Sequence, residues 1–421
     1  MIKAKATSLK ILSLLILTLA LVFSLVGCNT ENNFVAGYLD DLSVPEFHKE
    51  KLRGIEVVYR DYYVKDIPSP DVLSQELVNF YFENFHNEID NSDPDAVTDA
   101  LIYSYIYVIG DKYSYYRSEQ EHKQYKDDMS GSFSGIGVSV TYDYAAQTMT
   151  VTEVYPESGA ADAGIKIGDK IIKVNGTPIS EMEYQEAVYT IRGEAGTTVD
   201  ITLDRGGEEI TVTATRKKVV EQSVLYSIDQ NRIGYIKISA FNSNTPGQFD
   251  TAISYMLENG AVGVVYDLRS NPGGYLDAVV KMLSRIAPKG TTLVSFSNNY
   301  SSDYKDKTEA SLSLPSVVIC NGATASAGEL FTAAMRDFDT LGYFDVTIVG
   351  EKTYGKGVMQ NTYTFTDNSS ITLTVAYYNS PSGENYDGIG ISPDVEISNN
   401  DSQNDAQLNT AYIEINKLIN N

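Results

Sequence analysis

The chain has 421 residues with 56 acidic and 32 basic side chains, a formal net charge of −24 at pH 7. That surplus disfavours nucleic acid and anionic lipid as partners of the folded body, and the length allows two or three domains, each with its own core. All three histidines (His48, His86 and His122) precede residue 123, and the chain has two cysteines; neither a metal site nor a cofactor is expected.

The N-terminus carries Lys3, Lys5 and Lys10, then a mostly apolar stretch over 11–26 that ends in Leu25-Val26-Gly27-Cys28. A bilayer-crossing helix needs about 20 apolar residues, so this shorter run reads as a signal peptide over 1–27. Its end matches the L-x-G-C of a bacterial lipobox, which makes Cys28 the lipidated first residue; the alternative is a plain anchor with an incidental cysteine. Both readings place the protein outside the cytoplasm, tethered to a bacterial cell membrane. Cys320 closes an apolar run and reads as a small buried hydrophobe, leaving no internal disulfide once Cys28 is lipidated.

Residues 28–50 are polar and suit a linker. Over 51–130 the apolar spacing (Leu77, Phe80, Tyr81, Phe85) predicts a helical domain, broken at Ser92-Asp93-Pro94-Asp95 and resuming over 97–108. Residues 131–218 change to short β-type runs, with strands expected at 135–140, 148–154, 170–174, 199–203 and 209–215 and one helix at 184–191. From 219 to 421 strands and helices alternate: strands at 233–238, 262–268, 316–320 and 371–378, helices at 245–257, 276–286, 325–337 and, closing the chain, 406–418. That pattern predicts an α/β core.

Two motifs carry chemistry. Ser326 stands between Ala325 and Ala327 at a strand-to-helix junction, where a helix dipole favours a nucleophile and small neighbours admit a carbonyl; a serine there is also an ordinary N-cap. Lys356 stands between Gly355 and Gly357, and a lysine desolvated by close backbone packing loses basicity and acts as a general base. In a region without histidine the pair reads as a Ser-Lys hydrolase. A third segment, Asp267-Leu268-Arg269-Ser270-Asn271-Pro272-Gly273-Gly274, is either a simple Pro-Gly turn or a source of oxyanion-binding amides. Two rival matches fail. The G-x-x-x-x-G-K at 350–356 has Gly357 where a phosphate loop needs Ser or Thr, and the S-x-x-K at 302–305 lacks its companion motifs.

In order, Asp267 to Gly274, Thr324-Ala325-Ser326-Ala327-Gly328-Glu329 and the stretch from Thr353 to Gln360 resemble the core motifs of the carboxy-terminal processing (tail-specific) serine protease family. Gly110-Asp111-Lys112-Tyr113-Ser114, Ile233-Gly234-Tyr235-Ile236, Ser380-Pro381-Ser382-Gly383 and Gly388 to Asp394 extend the likeness over most of the mature chain. The resemblance implies an α/β multidomain protein with a crotonase-like protease core. Ser326 becomes the nucleophile, Lys356 the general base, Gln360 the residue that orients the lysine, and the amides of Ala327 and of Gly273 or Gly274 the oxyanion donors. Gln360 reaches Lys356 if 356–360 form a helical turn; in a strand the two lie about 13 Å apart. Two departures stand out: Gly328 replaces a usual serine, and the Ser-to-Lys spacing is longer by residues expected to loop out near 338–345.

The middle region resembles a PDZ module. Gly135-Ile136-Gly137-Val138 is similar to its carboxylate-binding loop, and Gly159 to Ile172 followed by Val174-Asn175-Gly176 to its most recognisable segment. The resemblance implies protein C-termini as substrates, a PDZ domain that gates the protease, and self-association. The competing class is a catalytically silent PDZ adaptor, which has no need of Ser326, Lys356 or the glycine turn.

Overall fold

The computed structural model describes residues 45–296, 303–307, 314–399 and 405–420. The signal peptide and Cys28 lie outside these residues, as does the linker as far as residue 44. The described residues divide into two compact units, one built from those of 45–125, 262–273 and 279–420, the other from 126–261 with 274–278.

The first unit is discontinuous in sequence. Its central strands Gly263–Asp267, Ser316–Cys320, Val346–Gly350 and Val395–Glu396 run parallel in that order, in registers such as Val264↔Ser316 and Ser316↔Val346. The first two are buried at every position, which is why they read as unbroken apolar runs rather than alternating ones. The helices Ala327–Thr340 and Ala406–Asn420 pack on this sheet. A second sheet centres on the Ser370–Asn379 strand, paired antiparallel with Tyr115–Arg117, Val358–Thr364 and Thr292–Phe296.

Three N-terminal helices, Glu46–Tyr62, Pro70–Asn84 and Pro94–Ile109, share a core with that second sheet: Leu52, Ile55, Tyr59, Leu73, Leu101 and Ile102 meet Ile371, Leu373 and Val375. The first helix starts inside the stretch read as linker. The third is framed by its own sequence, with Asp93 accepting from the Asp95 amide at the N-cap, Pro94 in the first turn and Gly110 at φ 74° as the left-handed stop. That stop turns the chain into Asp111.

The second unit holds a five-stranded antiparallel run in the order Val138–Asp143, Thr148–Val154, Lys170–Val174, Thr198–Arg205 and Glu208–Thr215. Its core joins Ile136, Met149, Val151, Ile171, Val174, Ile201 and Leu203 to Ala187 and Ile191 of the Tyr184–Ile191 helix. The strand expected at 135–140 is interrupted: Ser132–Gly135 pairs with Lys217–Val220, Ile136 and Gly137 turn the chain, and a new strand begins at Val138. Val224–Ile228 and Ile233–Ile238 form a hairpin, and Gly234 gives room to Met256 of the Thr245–Glu258 helix.

Among the described residues no helix is long and apolar enough to cross a membrane, and no group of three or more His, Cys, Asp or Glu could hold a metal ion.

Candidate active site

Three adjacent parallel strands end where the three motifs begin. Gly263–Asp267 leads into the Asp267-to-Gly273 turn, Ser316–Cys320 into Ser326, and Val346–Gly350 into Lys356, so parallel pairing alone brings their C-terminal loops side by side. No helix follows Lys356; the Val358–Thr364 strand does, which removes the remaining support for a phosphate loop.

Ser326 is the N-cap of the Ala327–Thr340 helix with φ 53° and ψ −118°, a backbone conformation that costs a non-glycine residue about 1–3 kcal/mol. Gly273 lies directly beneath it: a Cβ there would sit 2.7 Å from Ser326 Cβ and 2.9 Å from the Ala327 nitrogen.

The Ser326 and Lys356 motifs meet on one carboxylate. Glu329 is fully buried and accepts the Ser326 N–H at 3.0 Å and the Lys356 N–H at 2.7 Å through Oε2. Its Oε1 accepts the Gly355 N–H at 2.6 Å and the Thr353 hydroxyl at 2.5 Å. Thr353 Oγ1 in turn accepts the Ile391 N–H at 2.7 Å. The glycines beside Lys356 serve the backbone more than the amine. A Cβ on Gly355, at φ 90°, would meet the Gly390 nitrogen at 3.0 Å, and one on Gly357 the Asp387 nitrogen at 2.7 Å.

The Lys356 ammonium lies 4.9 Å from the centre of the buried Tyr113 ring. Burial lowers its pKa below the ordinary lysine value, while the carboxylates of Asp111, Glu329 and Asp387 oppose the shift. Asp111 is itself buried and accepts from the Ser114 hydroxyl at 2.6 Å and the Thr374 hydroxyl at 2.7 Å.

Residues 232–397 match the model of Peptidase family S41, and residues 124–204 match that of the PDZ domain. The core belongs to peptidase family S41. The carboxy-terminal processing protease CtpA of Bacillus subtilis (strain 168) is 34% identical over 308 residues, which are 72% of this chain and 65% of that protein. The chain therefore spans just under two thirds of the length of this relative. A solved photosystem II D1 C-terminal processing protease is 26% identical with a TM-score of 0.51, over 84% of this chain and 94% of that one. A structure from Bacteroides fragilis NCTC 9343, described as an S41 protease, shares the fold at a TM-score of 0.55 and 19% identity, over 86% and 97% of the two chains.

Within the S41 core the other expected residues differ in placement. The Ala327 N–H is the first of its helix and has no intrahelical acceptor. The Gly273 N–H donates to Asn271 Oδ1 at 2.8 Å. Gly274, at φ 141°, belongs to the second unit and packs on the Phe241 backbone. Gln360 lies on a strand, the second of the two alternatives, and its Nε2 donates to the Val358 carbonyl at 3.2 Å. At Gly328 a Cβ would approach the Asn271 carbonyl oxygen at 3.1 Å and Thr324 Cγ2 at 3.2 Å, so a serine would be tight there. The loop expected near 338–345 is shorter, because the helix continues to Thr340 and buries Phe338.

In the PDZ segment the carbonyls of Ile136 and Gly137 accept from the amides of Ala160 at 2.7 Å and Tyr155 at 3.0 Å. Gly137 has φ 78°, and a Cβ would lie 2.4 Å from Ser158 Cβ. Val138–Asp143 is the edge of its sheet, with Thr148–Val154 as its ladder partner among the described residues.

Glu329, Asp111 and Tyr113 stand inside the sequence motifs with no role that the sequence assigns, and Tyr378 stands only as the end of the strand expected at 371–378. The signal for Glu329 was present, since S-x-x-E at a helix start is the capping-box spacing.

Proposed function

We propose that this chain is an extracytoplasmic, lipid-anchored serine endopeptidase that recognises protein C-termini through its PDZ domain and hydrolyses peptide bonds with Ser326 and Lys356. The observation that carries the reading is the Glu329 carboxylate, which ties the backbones of both residues to one buried point. The names of the relatives, a carboxy-terminal processing protease and a D1 C-terminal processing protease, point to the same substrate class.

In the first step neutral Lys356 takes the Ser326 hydroxyl proton as Oγ attacks the scissile carbonyl. The oxyanion faces the Ala327 amide and the Gly273 amide, which must release Asn271 Oδ1 to take part. The lysine then hands its proton to the departing amine, and water resolves the acyl-enzyme by the same relay. The open edge of Val138–Asp143, next to the Gly135-to-Val138 turn, suits a peptide added as a strand with its carboxylate on the turn amides. The lipobox at Cys28 supports the anchor and the location.

The test is an unfolded protein with an apolar C-terminus, incubated with the purified mature chain and with Ser326→Ala and Lys356→Ala. Wild type should cut and both variants should not, with chelators without effect. Full proteolysis by Lys356→Ala would remove the dyad, and peptide binding without cleavage by wild type would leave the adaptor.

A further inference from the structure

Tyr378 sits on the Ser370–Asn379 strand, 3% exposed, in none of the motifs that define the dyad. Its hydroxyl lies 3.4 Å from Ser326 Oγ and 3.1 Å from the Lys356 carbonyl oxygen. The phenol carries one proton and has two acceptors in reach. At these distances the bond to the lysine carbonyl is the better one at rest, and the bond to the serine is long. The ring is fixed: it stands edge-on to the buried Tyr386 ring with centroids 6.0 Å apart, and the following strand residue, Asn379, pairs with Ser295.

We propose that Tyr378 is a further catalytic residue, its hydroxyl donating to the nucleophile side of the tetrahedral intermediate as the intermediate forms. The inference rests on the Ser326–Lys356 reading. As the serine proton moves to Lys356 Nζ, Oγ forms its bond to the carbonyl carbon, and the π electrons of the C=O move onto its oxygen. While the proton is in transit and the C–O bond is still forming, Oγ carries more negative charge than the resting hydroxyl, and the phenol turns its proton from the neutral Lys356 carbonyl to that stronger acceptor. Tyr378 keeps that proton throughout, because burial pushes the phenol's pKa well up, and Lys356 alone carries the transferred one. This contact is to Oγ and is separate from the oxyanion donors, the Ala327 N–H and the Gly273 N–H, the latter bound to Asn271 at rest.

The test is Tyr378→Phe, which keeps the ring and its packing, assayed on a peptide substrate and with a peptide boronic acid that mimics the tetrahedral adduct. The expected result is a kcat lower by about tenfold or more, as for removal of a transition-state hydrogen bond, with KM within about twofold. Boronate affinity should fall by a similar factor, product-peptide affinity should hold, and the acid limb of kcat/KM should stay where it is. Unchanged boronate affinity overturns the proposal. So does a moved acid limb, which would place the effect on the Lys356 carbonyl. If Tyr378→Phe melts early, Tyr378→Trp and the ratio of boronate to product affinity in the folded fraction decide by the same criterion. Wild-type activity that survives Lys356→Ala overturns the dyad reading and this inference with it, whereas an intact dyad with an indifferent Tyr378 overturns the inference alone.

Discussion

At the scale of single residues the site is organised by a carboxylate that does no proton transfer. Glu329 accepts four hydrogen bonds, and an amide in its place would set an NH2 group against donors it cannot satisfy. Glu329→Gln should cost at least about 2 kcal/mol of stability and nearly all activity, read by thermal melting and peptide hydrolysis. Lys356 makes the opposite demand. Its folded pKa lies below its unfolded one, so its contribution to stability is lost as pH falls from the ordinary lysine range through the lowered value, where charging a buried amine costs energy. Activity should fall on the same acid side, and Lys356→Met should be inactive yet no less stable at neutral pH, by melting across a pH series. Tyr113→Leu, which removes the ring facing the ammonium, should move the acid limb of kcat/KM to lower pH, while Tyr113→Phe leaves it in place. Ser326 and Lys356 were legible because small-residue motifs advertise them. Tyr378 and Asp111 were not, because their meaning lies in contacts with residues far away in sequence.

At the scale of elements, the strands that bury both faces were the plainest to read: 316–320 agrees end to end with Ser316–Cys320. The short strands Lys217–Val220 and Val346–Gly350 leave no clear signal, being brief and set among turns, whereas the Glu119–Ser130 helix falls inside the helical domain expected over 51–130 but is mostly polar and has no apolar spacing to mark it. Gln360 shows the limit from the other side. Spacing offered a helical turn or a strand, and only pairing with Thr374 across the sheet selects the strand. The PDZ edge strand gives the element-scale prediction. If its turn amides hold a carboxylate, amidating a peptide's C-terminus should weaken binding by about tenfold or more, or about 1.4 kcal/mol, in a calorimetric titration. Gly137→Val should abolish binding of the free acid as well, since both φ and the Ser158 contact exclude a side chain. Equal affinity for acid and amide would mean that this edge does not read chain ends.

At the scale of the whole molecule, the Ala406–Asn420 helix is bound to the catalytic sheet at both levels of chemistry. Ile415 fills the space over Gly263, and Asp405 pairs with Arg269 at 2.7 Å, which itself grips Asp267 at 2.6 Å at the head of the glycine turn. A chain ending before Asp405 should therefore lose cleavage while its PDZ unit still binds peptide, measured side by side on the two activities. The discontinuity of the first unit extends this point to the order of synthesis. The groups around Lys356 come from Asp111 near one end of the unit and Asp387 near the other, with the entire PDZ segment made between them. A partly made chain thus holds most of the PDZ unit before it holds both of the carboxylates that flank Lys356. The motifs around Ser326 and Lys356 therefore come together only once the segments of the first unit on both sides of the PDZ segment have been made.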